Sequence, residues 1–71
     1  MLRESDLIFQ VHEEPDGGFW AQALGHSIFT QADDIEELKV NAAEAVRAHF
    51  DPEERPAMVR LHLVKDILLA V

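Results

Sequence analysis

The sequence predicts an α+β fold of the βββαβ kind, a four-stranded sheet with one helix on one face. Four segments place apolar residues at every second position, the period of a half-buried strand, and one longer segment between Asp33 and Phe50 switches to the period of a helix. Clusters of Gly, Pro and Asp separate these segments. The chain is 71 residues long, which suits one small domain with a single modest core.

Strand one is expected from Leu7 to Glu13, where Leu7, Phe9 and Val11 alternate with Ile8, Gln10 and His12. Glu14-Pro15-Asp16-Gly17-Gly18 then supplies the fixed and positive φ values that reverse a chain, so a hairpin loop follows. In strand two, Phe19, Ala21 and Ala23 alternate with Trp20, Gln22 and Leu24, and Gly25 marks the next turn. Strand three covers Ser27-Ile28-Phe29-Thr30-Gln31, with Ile28 assigned to the core side. Ile28 and Phe29 are both apolar, and a slip of one residue would exchange their faces.

The helix begins after Asp33, which stands three residues before Glu36 as in a capping box, and Asp34 and Glu37 add negative charge at the positive end of the helix dipole. Ile35, Leu38, Ala42, Ala45, Val46, His49 and Phe50 form one stripe, opposite Glu36, Glu37, Asn41, Glu44 and Arg47. Lys39 lies at the stripe's edge and Val40 on the polar face. His49 is expected to pack its ring and bring a nitrogen to the last helical carbonyls. Pro52 disfavours helical geometry at Asp51, so Asp51 to Pro56 should be an exposed loop. Strand four follows, with Val59, Leu61 and Leu63 alternating with Arg60, His62 and Val64. After Lys65-Asp66 comes an apolar tail, Ile67-Leu68-Leu69-Ala70-Val71.

Counting directions through the three-stranded meander and back along the helix, strand four runs the same way as strands one and three and must pair in parallel with one of them. The helix then covers a face carrying Leu7, Phe9, Val11, Phe19, Ala21, Ile28, Val59, Leu61 and Leu63. The open face carries Ile8, Gln10, His12, Trp20, Gln22, Phe29, Arg60, His62 and Val64.

Composition excludes several functions. The chain has 14 acidic residues against 6 Lys and Arg, a formal charge of −8, which opposes binding to a nucleic-acid backbone and favours a basic partner. It has no cysteine, hence no disulfide, thiolate zinc site or thiol nucleophile. Oligomerisation is then the remaining staple for so small a chain. No run of about 18 apolar residues exists to span a membrane, and Met1-Leu2-Arg3-Glu4-Ser5-Asp6 lacks the regions of a signal peptide. A soluble cytoplasmic protein is expected.

No enzyme chemistry, cofactor or metal is expected either. Nuclease chemistry of the ribonuclease-H kind needs carboxylates converging on strand ends around two divalent ions. Here Asp6, Glu13, Glu14 and Asp16 sit at strand edges, Asp33, Asp34, Glu36, Glu37 and Glu44 belong to the helix, and none is mid-strand between Leu7 and Ile28. Such charges ordinarily form solvated faces or caps. His12, His26, His49 and His62 lack the spacing of a local zinc site, although His12 and His62 approach one another if strands one and four pair. Ser5 and Ser27 lack a triad context. Gly17-Gly18 precedes a strand, which makes it a turn and no phosphate loop.

Gly17-Gly18-Phe19-Trp20-Ala21 resembles the Gly-Gly-aromatic-x-Ala hairpin of HicB-like antitoxin domains. Leu24 to Asp33 is similar to that family's Leu-Pro-Gly-x-x-Thr-x-Gly-Asp stretch, and Ile35-Glu36-Glu37-Leu38 with Asn41-Ala42-Ala43-Glu44-Ala45 resembles its helix. The match spans about residues 7 to 50. The resemblance implies a partial ribonuclease-H-like fold with strand four beside strand one, and binding to a toxin of the HicA type, a small basic RNA-cleaving protein. The family's proline before the glycine is Leu24 here, and its glycine before the helix aspartate is Ala32. The C-terminal DNA-binding segment of many HicB antitoxins has no room before Val71, so direct DNA binding is not expected, and the chain is most similar to short stand-alone HicB-like proteins.

Two function classes follow. One is a HicB-like non-catalytic binding module that sequesters a small basic HicA-type partner. The other is a stand-alone self-associating homo-oligomer, dimer or tetramer, without a toxin. The interface residues expected for a partner or a second copy are Ile8, Trp20, Gln22, Phe29, His62, Val64, Ile67 and Leu69, with Trp20 as the anchor. The apolar tail either joins that interface or folds back over its own sheet.

Overall fold

The computed structural model describes residues 6–65 and 67–71; Ser5 and Asp66, considered above, lie outside them. The elements run β1 (Asp6–Glu13), β2 (Phe19–Ala23), β3 (Phe29–Ala32), α1 (Ile35–His49) and β4 (Met58–Val64). They form a four-stranded mixed sheet in the order β3-β2-β1-β4 with one helix, the expected βββαβ architecture. β1 pairs antiparallel with β2 and parallel with β4, so of the two placements open to the last strand it takes the one beside β1.

Turn chemistry sets the register of the first hairpin. Gly17 N donates to Glu14 O at 2.9 Å, with Pro15 and Asp16 between them, and Gly17 then takes φ +102°, a conformation that L side chains resist. Glu14 N closes the hairpin on Gly18 O at 2.6 Å. That registration sets Val11 opposite Ala21 and His12 opposite Trp20. At the second turn Gly25 has φ +82°, and Ala23 N donates to Ile28 O at 3.0 Å. Strand three thus begins later than expected, at Phe29. The faces are as read: Ile28 is buried and Phe29 is 59% exposed.

The cap is displaced by one residue from the expected position. Asp34, not Asp33, is the N-cap, and its Oδ1 accepts Glu37 N at 2.7 Å while Glu37 Oε1 accepts Asp33 N at 2.8 Å. Glu36 turns outward to Lys39, at 2.9 Å. Starting α1 at Ile35 aims Leu38, Ala42 and Val46 at the sheet, where all three are buried. At the other end the exposed His49 sets its ring against His26 and Phe50, and it is Arg55 that reaches a last-turn carbonyl, its Nη2 donating to Arg47 O at 3.3 Å. Phe50 N donates to Val46 O and ends the helix.

The core consists of Leu7, Phe9, Val11, Ala21, Ala23, Ile28, Leu38, Ala42 and Val46, with Phe19, Ala32, Ile35, Ala45, Phe50, Val59 and Leu61 packed around it. Leu63 departs from expectation at 55% exposure. The helix starts where Ala32 pairs with Phe19, and the chain leaves its far end to re-enter the sheet at Met58, opposite Asp6. The last residues of α1 nevertheless meet His26 in the β2–β3 turn, so the helix packs chiefly against β3, and Leu63, on the opposite edge strand, lies beyond its cover.

Candidate binding surfaces

With one helix on one face, strand alternation leaves the other face open. Its central row sets Phe29 beside Gln22, Gln22 beside Gln10 and Gln10 beside His62; the next sets Gln31 beside Trp20, Trp20 beside His12 and His12 beside Val64. Ile8 pairs with Arg60 further along. The expected interface residues Ile8, Trp20, Gln22, Phe29, His62 and Val64 therefore share one surface. Ile67 and Leu69 do not belong to it. They lie in a tail without regular structure, 78% and 80% exposed, so that tail does not fold over the sheet.

Three rings order the open face. His12 and Trp20 stack with centroids 4.2 Å apart and planes at 14°, and Trp20 and Phe29 follow at 5.7 Å and 23°. Besides His12 and His62, the described strand residues of this face include one acid and one permanently charged base, Asp6 and Arg60, which pair with each other at 2.7 Å, while Glu14 borders the face beside His12 and Val64. With the histidines neutral, the charges on the described strand residues of this face cancel, in a chain whose formal charge is −8.

The missing charge lies elsewhere. Where the first hairpin meets the start of α1, an open cleft of about 470 Å³ is lined by Glu14, Asp16, Asp33 and Glu37, above Gly18, Phe19 and Ala32. Asn41 Nδ2 donates to Gln31 O at 3.0 Å and fixes the helix against β3 beside the cleft. The four carboxylates come from a hairpin and a helix cap. In sequence they read as turn and capping residues, and only the pairing of β2 with β3 brings them together.

A second grouping also escaped the linear reading: His26, His49 and Phe50 meet edge to face, with centroids 4.9 to 5.9 Å apart. His12 and His62 share the open face without facing each other across a pair. Among the described residues no group of three or more His, Asp or Glu side chains is arranged to hold a metal ion. No described helix is long and apolar enough to cross a membrane.

A small α+β protein of βββαβ order, presenting an open aromatic sheet face and an acidic cleft, is the class these features define. The chain is 39% identical over 71 residues to a UPF0150 protein of Thermotoga maritima, covering the whole of both chains. It is 56% identical over 52 residues to a UPF0150 protein of Archaeoglobus fulgidus, covering 73% of this chain and 77% of that protein. The chain belongs to the UPF0150 family. No family model and no solved structure matches it.

Proposed function

We propose that this protein is a HicB-like, non-catalytic binding module that engages a small basic protein of the HicA type through its acidic cleft. The observation that carries the reading is the segregation of charge: Glu14, Asp16, Asp33 and Glu37 converge on one cleft, whereas on the described strands of the open face Asp6 is paired with Arg60. Convergent charge of one sign steers an oppositely charged partner and repels RNA, which suits masking a basic RNA-binding surface. The hairpin Gly17-Gly18-Phe19-Trp20-Ala21 and the place of β4 beside β1 support the HicB-like assignment.

Co-expression with a small basic protein encoded beside this gene tests the reading. A complex is expected to co-purify, and its association to slow as salt rises, because exposed charges are screened over roughly 8 Å at physiological salt. Replacing Glu14, Asp16 and Asp33 with their amides should slow association further. A basic neighbour that purifies alone, or no such neighbour at all, counts against it. For the non-catalytic part, labelled RNA should survive incubation with the protein and Mg²⁺ or Mn²⁺; cleavage lost on changing Asp33 or Glu36 would contradict it.

A further inference from the structure

We propose that the open sheet face is the seat of a second copy of this chain, packed sheet to sheet about a two-fold axis near the Gln10–Gln22 pair. This does not rest on the basic partner, which belongs at the acidic cleft.

Charge selects the occupant. Two copies each carrying −8 repel over most of their surfaces, and the face on which Asp6 and Arg60 neutralise each other is where they approach without that penalty. A basic protein gains nothing there and is drawn to Glu14, Asp16, Asp33 and Glu37 instead. A single-stranded nucleic acid would find rings to stack on but also needs cations along its backbone. The one permanent cation among the described strand residues of this face, Arg60, is held by Asp6 at 2.7 Å.

The chemistry is also self-complementary, as a two-fold interface requires. Gln10, Gln22 and Gln31 each carry a donor and an acceptor, so identical rows can satisfy one another. Trp20 and Phe29, half-buried and 59% exposed, supply the apolar area, and large aromatics are the usual anchors of such interfaces. Among the described residues few large side chains are completely buried, namely Phe9, Leu38 and Val11, so a second layer on the bare face supplies burial that one helix cannot.

The test uses like charge at the proposed axis. Gln22 is exposed, so Gln22→Glu and Gln22→Lys leave the monomer's fold intact, which circular dichroism would verify. Each variant alone should self-associate at least roughly tenfold more weakly than the parent, because it sets identical charges against each other. Mixed one to one, the two should regain the mass of a dimer. Trp20→Ala should also dissociate the dimer. Three results overturn the proposal: a parent chain that is monomeric throughout, a dimer indifferent to both Gln22 charges, or quenching of Trp20 by a single-stranded RNA oligonucleotide with no self-association.

Discussion

The indole of Trp20 lies nearly parallel to the imidazole of His12, with ring centroids 4.2 Å apart, across a directly paired position of β1 and β2. Cross-strand pairs of this sort contribute about 0.2–1 kcal/mol each, too little to explain a tryptophan on an uncovered face. Covered by a second copy, the same ring would lose its remaining contact with water.

Trp20 is the only tryptophan, so its fluorescence reports on this face alone. Emission is expected to move to longer wavelength on dilution through dissociation, with far-UV circular dichroism unchanged. Emission that stays constant from dilute to concentrated solution would speak against cover.

The core register makes a second expectation. Leu38 is fully buried beneath α1, so Leu38→Ala should cost about 2–5 kcal/mol in a denaturant titration. Val40, 57% exposed on the far side of the same helix, should change stability by less than about 0.5 kcal/mol when truncated. Equal effects at the two positions would mean that the helix is rotated.

The displaced cap gives a third. Asp34 Oδ1 receives Glu37 N, so Asp34→Ala should destabilise the chain by roughly 1 kcal/mol, whereas Asp33→Ala removes no side-chain bond to the first turn and should cost less. A larger loss at Asp33, measured by thermal melting, would restore the cap to the earlier residue.

The strands and the helix stripe were readable because burial follows period: Leu7, Phe9 and Val11 could only face one way once Ile8, Gln10 and His12 faced the other. What escaped depends on fine position or on contacts distant in sequence. Asp33 and Asp34 both stand three residues before a glutamate, and spacing alone does not choose between them. Leu63 has the alternation of a core residue, and its exposure follows from its place on the edge strand opposite the one α1 packs against, which no local pattern encodes. The open face emerged almost whole, since it is the complement of the core. The acidic cleft did not, because Asp16 and Asp33 meet only through the folded sheet.

Sedimentation equilibrium of the intact chain tests most directly whether a second copy covers the open face. The expected mass is twice the 8.0 kDa of one chain, declining toward a single chain on dilution. A mass of one chain at every concentration would contradict it.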